Sequence, residues 1–227
     1  MSNSIHFIKT EKSARVVMNG KATSDTKQVW LVAHGYGYLA TLFINKFSEL
    51  NSKINFVIVP EGLHRYYLNG FSGKVGASWM TKEDREHDIE DYCNYLDKVY
   101  EEFISPFNKN VIINILGFSQ GGATITRWAS QTKFKIDNLI VWGSNVPEDI
   151  IPITIGREND FKKLKNINWF YVCASDDEFM SQELQLAQIE LLKKRNINPE
   201  VINYTGKHDI DSETLMVLAD KCGKLVE

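Results

Sequence analysis

Residues 117–121, Gly-Phe-Ser-Gln-Gly, place a serine between two glycines where an apolar segment ends and a helical pattern begins. Residues 111–116 have the apolar character of a buried strand, and residues 122–129 have helical spacing. In this context Gly-x-Ser-x-Gly is the signature of a tight strand-to-helix turn, which exposes the serine hydroxyl and directs the first helical turn toward it. The pattern predicts that Ser119 is a nucleophile.

A serine hydroxyl is a weak nucleophile at neutral pH, so it needs a base, and the base needs a carboxylate that orients it. In open parallel sheets such groups collect beyond the carboxyl ends of the strands. The predicted strand 169–173 is followed by Asp176 and Asp177, and the predicted strand 200–204 is followed by His208. Serine, aspartate and histidine in this chain order are typical of α/β-hydrolases. The order predicts a triad of Ser119, His208 and one of the two aspartates.

The elements that must position these residues alternate between strand and helix from residue 28 onward. This alternation predicts an α/β fold with a mostly parallel central sheet and helices on both faces. Residues 145–166 are expected to form a long loop with one short helix. The predicted strands are 29–33, 56–59, 111–116, 139–142, 169–173 and 200–204, and the predicted helices are 39–50, 83–104, 122–129, 182–194 and 212–225.

The first 28 residues and the segment 61–80 differ from this alternation. Residues 6–9 and 14–18 resemble two antiparallel edge strands that precede the parallel core. Residues 61–80 are rich in glycine and aromatic residues, which predicts a loop bordering the active site. With no repeat or linker in the sequence, residues 1–227 are expected to form a single α/β-hydrolase domain.

The composition narrows the classes of partner and cofactor. The chain has 227 residues, 43% of them hydrophobic, and a net charge of −3. Near-neutral charge argues against a nucleic-acid binder, and no apolar run approaches the ~20 residues of a membrane span. The N-terminus lacks the apolar core of a signal peptide, which favours a cytoplasmic location. The three widely spaced cysteines favour buried reduced thiols over a disulfide framework or a metal site.

Four segments together resemble the phospholipase/carboxylesterase family of α/β-hydrolases, which includes acyl-protein thioesterases. They are His34-Gly-Tyr-Gly37, Gly117-Phe-Ser-Gln-Gly-Gly122, residues 174–180 and Gly206-Lys-His208.

The resemblance implies an α/β-hydrolase fold, with Ser119 as the nucleophile and His208 as the base. It implies that the amides of Tyr36 and Gln120 form an oxyanion hole. Aligning Ala174 with the first residue of the family's Gly-x-x-Asp turn favours Asp177 as the acid, with Asp176 as the alternative. Independently of the resemblance, no cofactor and no metal are expected, because residues 34–37 lack the glycine spacing of a dinucleotide site and no histidine or cysteine pair has metal-ligand spacing.

Aromatic residues near the predicted site suggest an apolar acyl or aryl pocket. Trp79, Tyr38, Trp142 and Phe179 are the predicted substrate-binding residues. The predicted function is hydrolysis of carboxylic esters or thioesters, with a small-molecule acyl ester or thioester as substrate, by a monomer or homodimer. The alternatives are a peptidase or lactonase with the same triad, or a non-catalytic binding protein on this fold.

Overall fold

The structure is a computed structural model that describes residues 3–107, 110–150 and 163–224. A mostly parallel sheet of seven of the described strands forms its centre, in the order β1-β3-β2-β6-β7-β8-β9. The strands are β1 (Val16–Asn19), β2 (Gln28–Ala33), β3 (Asn55–Pro60), β4 (His64–Tyr67), β5 (Val75–Ser78), β6 (Ile112–Phe118), β7 (Asn138–Trp142), β8 (Asn168–Ala174) and β9 (Glu200–Tyr204).

Helices cover both faces of this sheet, which confirms the predicted fold class. The α-helices whose bounds lie within the described residues are α1 (Ala40–Phe43), α2 (Arg85–Phe103), α3 (Gln120–Gln131), α4 (Gln182–Lys194) and α5 (Ser212–Lys224), and residues 163–165 are also helical. Alternate strand residues face opposite sides. Val29 and Leu31 pack in the core with α2, α3 and α4, whereas Trp30 and Val32 pack in the core with α1 and α5.

The N-terminal edge holds one strand where two were predicted. β1 runs antiparallel to β3, with Val16 opposite Pro60 and Asn19 opposite Val57. Residues 3–15 form no strand. Ile8 is 89% exposed, and Lys9 forms ion pairs with Glu90 and Asp91 of α2. The segment at residues 6–9 therefore lies beside α2 and buries too little apolar surface to favour a strand.

The segment 61–80, predicted to be a loop, contains an antiparallel hairpin. β4 pairs with β5 from His64 opposite Ser78 to Tyr67 opposite Val75. The hairpin packs closely against the loop that follows β2. A Cβ atom at Gly76 would lie only 2.6 Å from the Gly37 carbonyl oxygen, so this contact leaves no room for a side chain.

Two other predicted segments differ in detail. The predicted helix 39–50 is divided into the short α1 and a 3₁₀ helix, Ile44–Phe47. Within the predicted loop 145–166, Glu148–Ile150 form a 3₁₀ turn, and residues 151–162 lie outside the described residues. In the part of the chain that the structure describes, no helix has the length and apolar character needed to cross a bilayer.

A row of side-chain amides joins four adjacent parallel strands at their amino-terminal ends. Asn114 donates to the Gln28 oxygen (2.8 Å), Asn138 donates to Asn114 (2.7 Å), and Asn168 donates to Asn138 (3.1 Å). Asn114 and Asn138 are fully buried. Because buried amides are costly when unpaired, this row favours one register of the strands at the edge of the sheet opposite Ser119.

Candidate active site

The predicted catalytic residues follow three strands of one continuous part of the sheet. Ser119 follows β6, Asp177 lies three residues after β8, and His208 lies four residues after β9. β6, β7, β8 and β9 are neighbours and run parallel, so their carboxyl ends meet at one edge. The topology therefore brings the three residues to the same side of the molecule.

Ser119 has a strained backbone that only close glycine packing permits. Its φ is 52° and its ψ is −123°, outside the left-handed helical region. A Cβ at Gly117 would lie 2.3 Å from the Gly121 carbonyl oxygen, and one at Gly121 would lie 2.1 Å from the Ala33 carbonyl oxygen. Any side chain at these glycines would force the strand, the turn and α3 apart. Steric crowding by the backbone therefore requires glycine at positions 117 and 121.

His208 and Asp177 form a close, buried pair. His208 Nδ1 lies 2.7 Å from Asp177 Oδ2, and their side chains are 9% and 1% exposed. A carboxylate can only accept, so Nδ1 is the donor in this pair, and in the neutral imidazole Nε2 is then the acceptor. Asp177 Oδ1 accepts hydrogen bonds from the amides of Phe179 (2.9 Å) and Met180 (2.8 Å). Asp176 instead is exposed and accepts from the Ser175 hydroxyl.

The imidazole lies beside the turn that carries Ser119. Its ring centroid is 4.7 Å from that of Phe118, the residue directly before Ser119. No hydrogen bond joins the Ser119 hydroxyl to His208 among the described residues. In hydrolytic sites this hydrogen bond is often long until substrate binds. The arrangement is suited to nucleophilic attack on an acyl carbon.

Trp142, predicted to bind substrate, is 1% exposed and is part of the support for the His208 loop. Its indole donates to the Asp209 carbonyl oxygen (3.0 Å) and lies 3.2 Å from the Tyr204 hydroxyl. The Tyr204 hydroxyl donates to the same carbonyl (2.6 Å), and Lys46 forms an ion pair with the Asp209 carboxylate (2.5 Å). Three side chains therefore hold Asp209, the residue directly after His208. The Trp142 indole packs under the site and does not reach its surface.

His34 shapes the loop after β2. Its Nδ1 donates to the Gly35 carbonyl oxygen (2.8 Å), and its Nε2 accepts from the Gly62 amide (2.9 Å). Burial lowers the pKa of His34, because a charged imidazole would be desolvated there. Both nitrogens are already engaged, so this neutral histidine positions the loop and has no lone pair left for a base.

The predicted oxyanion donors lie next to Ser119. A Cβ at Gly35 would lie 3.1 Å from Ser119 Cβ, so the loop carrying Tyr36 rests against the turn. Gln120 is the first residue of α3, and the first amides of a helix have no intrahelical acceptor. Oxyanion stabilisation by the Tyr36 and Gln120 amides stays a prediction.

The other predicted pocket residues are divided between core and surface. Trp79 is fully buried, and its indole donates to the His34 carbonyl oxygen (2.9 Å). Tyr38 is half-buried against Phe43, with ring centroids 5.2 Å apart. Phe179 is 68% exposed beside His208, and Tyr36 is 59% exposed. Trp79 and Trp142 are therefore buried below the surface, whereas Tyr36 and Phe179 stand at the surface beside the site, and contact of any of the four with substrate stays a prediction.

Two buried supports of the site were missed at the sequence level. Gln185 donates to the carbonyl oxygens of Ala174 (3.0 Å) and Met180 (2.6 Å), at the two ends of the acid turn. Glu61 is 1% exposed, and its carboxylate accepts a hydrogen bond from the Ala40 amide (3.0 Å). Ala40 follows the loop that carries Tyr36, so Glu61 supports the end of that loop. Glu61 could have been noticed, because a carboxylate directly after a buried strand needs partners.

No group of three or more histidine, cysteine, aspartate or glutamate side chains within the described ranges has the proximity needed to hold a metal ion. Burial raises the pKa of Cys93 and of Cys173 to about 12 in each case, so these thiols stay protonated and unreactive. Cys222 is also buried, and all three cysteines are free.

Solved structures resemble this fold at low sequence identity. The acyl-protein thioesterase 2 of Zea mays superposes with a TM-score of 0.71 at 14% identity, over 95% of this chain and 100% of that chain. A carboxylesterase of Bacillus cereus gives 0.64 at 19% identity, over 92% and 94% of the two chains. Esterase PE8 gives 0.65 at 15% identity, over 92% and 97%. At these identities the likeness shows the fold.

Sequence comparison shows the family. A search of the curated proteins found no match to this chain. The family described as phospholipase/carboxylesterase matches residues 13–225, nearly the whole chain. The chain therefore belongs to the phospholipase/carboxylesterase family of α/β-hydrolases.

Proposed function

We propose that this protein is a serine hydrolase that cleaves carboxylic esters or thioesters through an acyl-enzyme on Ser119. The observation that carries the proposal is the buried His208–Asp177 pair, 2.7 Å apart, beside the strained turn of Ser119. A strained nucleophile, an oriented imidazole and a buried carboxylate at neighbouring strand ends are the elements of acyl transfer.

In the first half of the reaction the Ser119 hydroxyl oxygen attacks the acyl carbon, and His208 Nε2 takes the hydroxyl proton. The carbonyl oxygen becomes an oxyanion, which the Tyr36 and Gln120 amides stabilise. Asp177 holds the imidazole in the tautomer that can accept this proton and stabilises the imidazolium. The tetrahedral intermediate then collapses, and His208 returns the proton to the leaving alcohol or thiol.

In the second half a water molecule attacks the acyl-enzyme. His208 takes one proton from the water, and the new carbon–oxygen bond forms a second tetrahedral intermediate. Its collapse breaks the bond to Ser119, which regains its proton from His208, and the carboxylic acid leaves. Proton and atom balance therefore needs only the substrate and water.

The side chains at the surface beside the site favour an apolar acyl or aryl group of short to medium length. Phe179 stands next to His208 with ring centroids 4.8 Å apart, and Tyr36 packs beside Tyr66 at 5.3 Å. Exposed aromatic faces bind apolar groups by burying area and by stacking. We propose Phe179, Tyr36 and the half-buried Tyr38 as substrate contacts.

The test compares Ser119→Ala with Ser144→Ala in hydrolysis of p-nitrophenyl esters and in fluorophosphonate labelling. Ser144 is a matched control, since it lies at the end of the adjacent strand β7 and its hydroxyl donates to the Asn145 carbonyl oxygen. Ser119→Ala is expected to lose about 10⁴- to 10⁶-fold in kcat and to lose labelling, whereas Ser144→Ala keeps both. Full activity of Ser119→Ala would refute the proposal.

A substrate panel identifies the bond that is cleaved. An ester, a thioester and an anilide of one acyl group, and a lactone of similar size, can all be attacked by such a triad. Faster turnover of the ester or thioester is expected, and faster turnover of the lactone or anilide would redirect the proposal to a lactonase or a peptidase.

We also propose a location in the cytoplasm. The three cysteines are free and buried, as expected in a reducing compartment. Cell fractionation should recover the protein with the cytosolic fraction, and recovery in a membrane or secreted fraction would contradict this.

A further inference from the structure

The two proposed oxyanion donors belong to different elements of the fold. The Tyr36 amide is in the loop after β2, whereas the Gln120 amide begins α3. An oxyanion hole requires both donors at about 2.7–3.1 Å from one oxygen atom. Their separation must therefore be held to about 0.5 Å. The following inference concerns what holds it, and it rests on the proposed function.

One segment, residues 77–80, contacts the loop on both sides of Tyr36; we call it the 77–80 strap. On one side the Gly37 amide donates to the Ala77 carbonyl oxygen (2.9 Å). On the other side the Trp79 indole donates to the His34 carbonyl oxygen (2.9 Å). The backbone shortly before and after the Tyr36 amide is thus bonded to the same short segment.

The same strap is bonded to the side chain of Gln120. Gln120 Oε1 accepts from the Trp79 amide (3.1 Å), and Gln120 Nε2 donates to the Met80 carbonyl oxygen (2.9 Å). The Ser78 hydroxyl lies 3.2 Å from Oε1 and 3.1 Å from Nε2. These bonds engage both ends of the Gln120 side-chain amide, which is therefore fixed to the strap.

Trp79 is the residue that joins the two sets of bonds. Its main-chain amide reaches Gln120, and its indole reaches the loop that carries Tyr36. The ring is fully buried, 5.2 Å from the His34 ring and 6.3 Å from the Tyr92 ring. A buried ring in a packed core cannot move without displacing its neighbours.

We infer that Trp79 is a positioning residue that sets the separation between the Tyr36 and Gln120 amides, and therefore the strength of the oxyanion hole. It does not touch the substrate. Its loss moves the two donors relative to each other while Ser119, His208 and Asp177 keep their contacts.

The test uses Trp79→Phe, which keeps an aromatic ring and removes the indole N–H. The readout is the ratio of kcat/KM for a p-nitrophenyl ester to kcat/KM for its thionoester, in which sulfur replaces the carbonyl oxygen. Sulfur is larger and a weaker acceptor, so the ester profits more from the oxyanion hole. The variant is expected to lose about tenfold for the ester and to lower the ratio by a similar factor, since loss of a whole donor costs about 10²–10³.

Two other buried tryptophans serve as matched controls. The Trp169 indole donates to the Leu164 carbonyl oxygen (2.8 Å) and lies at the opposite end of the sheet, so Trp169→Phe should lower stability and leave the ratio unchanged. The Trp142 indole bonds the His208 loop, so Trp142→Phe should slow both substrates equally. A loss of stability alone, or of proton transfer alone, therefore does not change the ratio.

An unchanged ratio in a folded Trp79→Phe variant would overturn the inference, as would an equal fall of the ratio in Trp142→Phe or Trp169→Phe. If Trp79→Phe does not fold, Gln120→Ala serves as the test variant. It removes the side-chain hydrogen bonds between α3 and the 77–80 strap and should also lower the ratio. Failure of the proposed function looks different: the wild-type protein would hydrolyse neither substrate and would resist fluorophosphonate.

Discussion

Replacing Asp177 by asparagine changes one hydrogen-bond acceptor into a hydrogen-bond donor and should abolish most of the activity. Asp177 Oδ1 accepts from the amides of Phe179 and Met180 at 2.9 and 2.8 Å. In the Asp177→Asn variant the side-chain oxygen must take this position, because an NH₂ group there would face two N–H groups. The NH₂ group then faces His208 Nδ1, which lies 2.7 Å from Oδ2 in the wild-type protein.

The magnitude follows from the tautomer. An NH₂ group forces Nδ1 to accept and moves the imidazole proton to Nε2, so Nε2 cannot take the proton of Ser119. A triad with this tautomer loses about 10⁴-fold in kcat, or about 5.4 kcal/mol of transition-state stabilisation. The fold is expected to survive, since asparagine has the size of aspartate and both backbone amides keep their acceptor.

The assay is steady-state hydrolysis of a p-nitrophenyl ester, with thermal unfolding as a check on the fold. Asp176→Asn is the matched control, because Asp176 is exposed and bonds the Ser175 hydroxyl. It should change activity by no more than about twofold. Activity of folded Asp177→Asn within about tenfold of wild type would refute the reasoning, and a large loss in Asp176→Asn instead would identify that residue as the acid.

Two further outcomes follow from groups outside the triad. Asn138→Ala leaves the buried Asn114 oxygen without its donor and should lower the free energy of unfolding by about 1–3 kcal/mol, with kcat unchanged. The control is Asn203→Ala at an exposed position, and an equal loss of stability in the two variants would contradict this prediction. The lowered pKa of His34 means that unfolded chains bind a proton near pH 6.5 and folded ones do not. The contribution of His34 to the free energy of unfolding is therefore full above pH 6.5 and falls as the pH decreases, by at most about 1.4 kcal/mol per pH unit. An NMR titration that gives His34 a pKa at or above 6.5 in the folded protein would disprove this prediction.

The elements and their order could be predicted because their causes are local. Strands such as 200–204 and helices such as 182–194 have the predicted bounds, since apolar periodicity and flanking turns mark them directly. The Ser119 turn was equally predictable, because its glycines are required by backbone packing within a few residues. The prediction of an edge strand at residues 6–9 was wrong, since no local pattern shows whether a neighbouring edge is available.

The substrate side of the site could not be predicted from composition. Four aromatic residues in loops near the predicted site suggested a pocket wall. In the fold Trp79 and Trp142 are in the core, whereas Phe179 is largely exposed. Sequence position places a residue near a strand end, but the packing of neighbouring elements decides whether its ring faces the core or the solvent.

Local sequence was enough to put a serine on a tight turn and to order an aspartate and a histidine after it as in an α/β-hydrolase. It left open which aspartate meets His208, and the answer came from the folded chain. Asp176 and Asp177 are adjacent, and a turn of one residue sends their carboxylates in different directions. The amides of Phe179 and Met180 and the Gln185 side chain hold the turn so that Asp177 faces inward. Those contacts join residues that no periodic pattern connects.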